Sequence, residues 1–183
     1  NNTIIVLWSD HGFHIGEKSN WEKFALWDQT SRVPLFIHAP GVSKDGEKTR
    51  QPATLTDVYP TLCELAGLPI PGQCDGLSLV SQLKSPGAKR DRLALCSFQF
   101  GNERNPSHGV SDERYRFIRY GNGFEELYDL KNDPHEYENL IDNPQFASVK
   151  TRLANGIPPN SATLALLPKD SPHHRANQKK RGK

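Results

Sequence analysis

The chain has 183 residues, of which 35% are hydrophobic and 24% charged, with a formal net charge of +2, a size and balance that fit one globular domain or part of a larger one. The positive excess is concentrated between Lys169 and Lys183, so no general basic surface argues for nucleic acid. No apolar run approaches the ~20 residues of a membrane span, and no signal-peptide pattern is present.

In chain order, Ile4 to Trp8 is a continuous apolar run rich in β-branched residues, the pattern of a strand buried on both faces of an open, parallel α/β sheet. It stops abruptly in Asp10-His11-Gly12. Ligands of open α/β sheets bind just beyond the carboxyl ends of the strands. A carboxylate, an imidazole and a glycine at that place form a candidate metal site over a backbone turn. The His and Lys residues that follow are placed to meet an anion held there.

Trp21, Phe24, Ala25 and Trp27 are spaced for a short helix within Trp21–Thr30, and Pro34 to Ala39 is a second buried strand bounded by Pro40-Gly41. Val42 to Pro52 is polar and charged, a surface loop. Thr56 to Ala66 is the clearest helix, with Thr56 as N-cap and Asp57 in the first turn. Val58, Leu62, Leu65 and Ala66 supply its apolar face and Gly67 its stop.

From Lys84-Ser85-Pro86-Gly87, a linker, the composition changes to short strands: Arg92–Phe100, Tyr115–Tyr120 and Glu126–Leu130. Gly121-Asn122-Gly123 is a hairpin turn between the last two. These predict a small antiparallel sheet of three or four strands with one polar face, followed by a helix over Pro144–Asn155. The end of the chain, Pro158 to Lys183, combines four prolines, the His173-His174 pair and Lys179-Lys180-Arg181, the composition of a disordered basic tail. Cys63, Cys74 and Cys96 are too few and too scattered for a disulfide framework or zinc cluster. A Cys63–Cys74 bridge and free buried thiols both fit the spacing.

Ser9-Asp10-His11-Gly12, Gly16-Glu17, Trp21-x-Lys23, Arg32-Val33-Pro34-Leu35-Phe36-Ile37 and Ala39-Pro40-Gly41 together resemble the sulfatase family of the alkaline phosphatase superfamily. The branch they look most like is the iduronate-2-sulfatase-like enzymes. Leu55–Leu62 with Leu65-Ala66-Gly67, Asp75–Leu79, Glu126–Leu130 and Asn132–Glu136 with Asn139-Leu140 continue the resemblance in the same order. It covers the C-terminal third to two-fifths of a sulfatase and reaches to about Asn155. The chain does not begin with Met and opens directly on a core-type strand, which reads as the C-terminal portion of a longer protein. The resemblance implies an α/β fold: the C-terminal part of an alkaline-phosphatase-like α/β sandwich over residues 1–85, then a small antiparallel sheet with a packed helix over 86–157, then a disordered tail over 158–183.

The same resemblance implies a site. Asp10 and His11 fall at metal-ligand positions, and the divalent cation is expected to be calcium, although nitrogen ligation also suits zinc or manganese. Lys23 matches the lysine that contacts the sulfate group, a compact cation able to offset charge on sulfate or on the departing oxygen. Lys18 and His14 are secondary substrate-binding candidates. The family's nucleophile, a formylglycine made from Cys or Ser in Cys/Ser-x-Pro-Ser-Arg, has no counterpart. Cys63 leads Glu64-Leu65, Cys74 leads Asp75-Gly76 and Cys96 leads Ser97-Phe98. The expectation is a sulfuric ester hydrolase portion that is inactive alone, its partners a sulfated small molecule or glycan and the N-terminal part of the catalytic domain. Family membership implies an exported (periplasmic or extracellular) or lysosomal protein. Two other readings compete: a phosphatase or phosphonate monoester hydrolase of the same superfamily, and a non-catalytic glycan-binding remnant.

Overall fold

Residues 2–100 and 105–159 are described by a computed structural model. Strand β1, Ile5–Trp8, pairs antiparallel with β2, Leu35–His38, so that Trp8 lies opposite Leu35 and Ile5 opposite His38. The β-branched run does form a strand, but it is neither buried on both faces nor parallel to its neighbour. Ile5, Leu7, Trp8 and Phe36 are exposed, and the pair makes a two-stranded ribbon among the described residues. β2 is correspondingly half-buried on alternate residues rather than buried throughout. An apolar run specifies extended backbone; it carries no information about the direction of the partner strand or about what covers either face.

The helix expected over Trp21–Thr30 shrinks to α1, Asp28–Ser31. The carbonyls ahead of it are engaged elsewhere: Glu22 O accepts from His14 N at 3.1 Å and Leu26 O from Arg116 Nε at 2.6 Å. These long-range partners displace the amides four residues on that a helix would require.

Helix α2, Val58–Leu65, is entered through a 3₁₀ turn over Leu55–Asp57. Its cap is Thr54, not Thr56: Thr54 and Asp57 satisfy each other's orphan backbone donors in a reciprocal capping box. The helix buries Val58, Pro60, Thr61 and Cys63, a face rotated from the expected one, with Leu62 and Leu65 only half-buried and Ala66 exposed. Gly67, at φ +68°, ends it in the left-handed conformation that glycine adopts freely. Asp57 is fully buried. It accepts from Thr54 N and Leu77 N and is ion-paired with Arg90 at 2.9 Å, and these partners hold its carboxyl below the usual range despite the opposing effect of burial. A further short helix, α3, Val80–Lys84, precedes the linker.

The second sheet has four antiparallel strands in sequential order: β3 (Ala94–Phe98), β4 (Ser107–Ser111), β5 (Tyr115–Arg119) and β6 (Glu125–Asp129). The hairpin at Gly121–Gly123 forms, closed by Gly123 N to Tyr120 O at 2.9 Å. Helix α4, Ala147–Ala154, packs Leu153 against Val110, Phe117 and Leu127. The opposite face, where a polar one was expected, is covered as well. Leu26 lies on Ile118 and Tyr128, with Trp27, Cys96 and Phe98 around them. Arg116 and Glu126 are polar residues of that face, and both are buried. The three cysteines are free thiols. The tail with His173 and His174 lies outside the described residues.

Candidate active site

The turn after β1 presents Asp10 outward, its side chain 83% exposed, with His11 beside it. His11 Nδ1 lies 2.8 Å from Gly12 O. A carbonyl can only accept, so Nδ1 carries the proton and Nε2 carries the lone pair, which accepts from the Lys23 ammonium. Nε2 is 2.9 Å from Lys23 Nζ and 3.7 Å from Asp10 Oδ2. A carboxylate, an imidazole lone pair and an ammonium separated by twelve positions in sequence therefore meet at one exposed point. Gly12 makes this possible. A Cβ there would stand 2.0 Å from Gln29 O, and Gly12 N donates to Thr30 O at 2.8 Å, so the turn is pressed against α1.

As a metal site the donor set is suitable in kind. A carboxylate oxygen and an imidazole nitrogen face a common point, and the Lys23 ammonium already stands there as a positive charge. No group of three His, Cys, Asp or Glu side chains able to hold a metal occurs among the described residues. Two donors fall short of the coordination number of calcium or zinc.

His14 and Lys18 lie apart from this point. His14 is buried, edge-on to Trp27 at 5.6 Å between ring centroids. Burial pushes its imidazole pKa down, so it is held neutral. Lys18 reaches toward the second sheet. Its ammonium donates to Tyr128 Oη at 3.0 Å and to Glu136 O at 2.5 Å, and it sits 4.5 Å from the centroids of both Trp27 and Tyr128.

Several residues that shape the site have no local signature in the sequence. Arg116 supports Leu26 from below and donates to Ser111 Oγ at 2.8 Å. Trp27 Nε1 donates to Glu126 Oε2 at 2.8 Å. Glu136 is 2% exposed, and its Oε2 accepts the Asp28 N–H at 2.7 Å, where α1 begins. Burial raises its carboxyl to about 7, against the lowering effect of Arg116, whose Nε is 3.7 Å from Oε1. The motif Asn132–Glu136 marks a turn; nothing local in it says that the glutamate points inward.

The folded chain is mixed α/β, with antiparallel sheets, a packed helix and an acid–imidazole–lysine cluster at a strand's mouth. Residues 16–161 match the family described as N-sulphoglucosamine sulphohydrolase, C-terminal, and the chain belongs to the sulfatase family. It is 38% identical over 162 residues to a sulfatase of Formosa agariphila, a match covering 88% of this chain and 31% of that protein. In structure it is similar to a protein solved in complex with its substrate D-glucosamine-2-N,6-O-disulfate: TM-score 0.74, 26% identity, 83% of this chain and 32% of the other. It also resembles the phosphonate monoester hydrolase of Agrobacterium radiobacter, with TM-score 0.69, 27% identity and coverage of 83% and 33%. The chain thus spans about a third of the length of the relatives it matches. The sulfatase relatives share the alkaline-phosphatase-like fold.

Proposed function

We infer that this chain supplies part of the sulfate-binding half of a sulfuric ester hydrolase acting on sulfated carbohydrate. The observation that carries the reading is the convergence of Asp10, His11 Nε2 and Lys23 Nζ on one exposed point after β1. Asp10 and His11 would hold a divalent cation, calcium by family, whose bound charge would neutralise a sulfate oxygen. The Lys23 ammonium, whose one side-chain hydrogen-bond partner among the described residues is His11 Nε2, keeps donors for a second sulfate oxygen or for the leaving oxygen. His11 holds its lone pair in place through Nδ1–H to Gly12 O. His14 and Lys18, proposed from the motif as substrate contacts, have their polar ends in the interior and against the second sheet, which favours a supporting role.

The residues do not fit the family's nucleophile. Cys63 packs within α2, and Cys96 lies in the apolar layer beneath Leu26 with its thiol pushed up by burial. The chain alone is accordingly proposed to be inactive. The Asp-His-Gly string favours the iduronate-2-sulfatase-like branch, and the family favours an exported or lysosomal setting. The phosphonate monoester hydrolase likeness supports a second reading, phosphonate or phosphate ester cleavage.

The test is a chimera joining this chain to a sulfatase N-terminal portion with a matured formylglycine, assayed with an aryl sulfate, a sulfated glucosamine and a phosphonate monoester. Sulfate turnover is expected to dominate, and Lys23→Ala to lower kcat by about 10²–10³-fold. Asp10→Ala and His11→Ala should each reduce bound divalent metal. Preferred turnover of the phosphonate, or metal content unmoved by both substitutions, would overturn the assignment.

A further inference from the structure

We propose that Glu136 is a positioning residue for the Asp10–His11–Lys23 point, stapling both ends of the segment from Lys18 to Asp28 that presents Lys23. The proposal rests on the functional reading of that point, and its mechanism is a matter of hydrogen bonds on two sides of one residue. The Glu136 carboxylate holds the backbone N–H of Asp28 at 2.7 Å, and its carbonyl holds the Lys18 ammonium at 2.5 Å. Everything between those two anchors, Lys23 included, is a loop with its ends fixed to a single buried residue of the other sheet region.

The constraint reaches the metal turn as well. Asp28 opens α1, Thr30 O of α1 accepts from Gly12 N, and Gly12 O accepts from His11 Nδ1. Glu136 is thus three short links from the imidazole. Backbone strain marks the same place. Among the described residues, three non-glycine residues have positive φ: Lys18 at 54°, Ser19 at 57° and Glu136 at 58°. Left-handed conformations at such residues persist where the surroundings over-determine them, and they cluster at functional sites. Two of these three touch each other directly through the Lys18–Glu136 contact.

A glutamate that served only to stabilise the core would affect folding and leave the imidazole alone. The experiment therefore reads His11 in the full 183-residue chain, by ¹⁵N imidazole shifts and by the Lys23–His11 contact, with circular dichroism as the folding control. Wild type should show the Nδ1–H tautomer. Glu136→Ala should lose that signature and the Lys23 contact while staying folded. Glu136→Gln, whose amide oxygen still accepts from Asp28 N, should restore both. Lys18→Met keeps an unbranched side chain but removes the ammonium that donates to Glu136 O, and it gives the same reading if Glu136→Ala does not fold. A folded Glu136→Ala, or failing that a Lys18→Met, with unchanged His11 shifts and an intact Lys23 contact would overturn the proposal. So would a folded Glu136→Gln as impaired as Glu136→Ala. Mn²⁺ added to wild type tests the functional reading separately: no broadening at His11, with the Glu136 effect intact, would sink the metal assignment and leave Glu136 as the residue that positions His11 and Lys23.

Discussion

The two sheets of this chain do opposite work. The β1–β2 ribbon carries the residues with chemistry at its mouth, yet its apolar side chains Ile5, Leu7 and Phe36 are exposed. The four-stranded sheet carries none of the candidate ligands, yet it is covered on both faces, by α4 on one and by the Leu26–Trp27 segment on the other. The difference teaches that the Lys23 loop gets its shape from a sheet to which it does not belong. Lys23 sits in a segment whose own backbone makes little regular structure. Its order comes from Arg116, Glu126, Tyr128 and Glu136 beneath it.

That contrast can be broken at its strongest point. Phe117 is fully buried between β5 and α4, and Phe117→Ala should destabilise the chain by about 3–5 kcal/mol, read from urea unfolding. A loss of about 1 kcal/mol would mean that the second sheet is not the rigid half.

A smaller effect tests the buried acid that links the two regions. The Glu136 carboxyl titrates at about 7 when folded and 4.5 by its ordinary value. Between those values the folded chain holds a proton that the unfolded chain has released, so this stabilising contribution is complete below about 4.5 and is lost as pH rises through 7. The stability of wild type minus that of Glu136→Gln should fall from pH 5 to pH 8, on the order of 1–3 kcal/mol. A flat difference would place the carboxyl in water. The subtraction matters because neutral, buried His14 changes stability in the opposite sense over part of the same window.

The smallest expected effect lies in the ribbon. Leu7 is 61% exposed, and Leu7→Ala should change stability by about 0.5 kcal/mol or less. A cost comparable to that of Phe117→Ala would show that the ribbon is covered in solution and would remove the contrast.

Much of this was legible in the residues alone. β1, the α2 stop at Gly67 and the hairpin at Gly121–Gly123 each rest on a local pattern: a β-branched run, a left-handed glycine, a turn dipeptide. Asp10, His11 and Lys23 were singled out by motif, and the structure brings them together. The Trp21–Thr30 helix was misread because its apolar spacing suits a helix while its carbonyls are claimed by His14 and by Arg116, ninety residues beyond Leu26. Thr56 was misread as the cap because Thr54 is equally eligible, and the choice falls to the residue that can exchange bonds with Asp57.

By itself, then, the sequence determined the extended run of β1, the stop at Gly67 and the turn at Gly121–Gly123, and it set Asp10, His11 and Lys23 close together along the chain. These follow from periodicity and from side-chain chemistry, which are local. Only the tertiary structure decided that β1 runs antiparallel to β2, that the polar face of the second sheet is covered, and that Lys18 and Glu136 lock the Lys23 loop. Those outcomes depend on which distant group reaches a backbone carbonyl or amide first. That competition is settled by packing, and no local pattern records it.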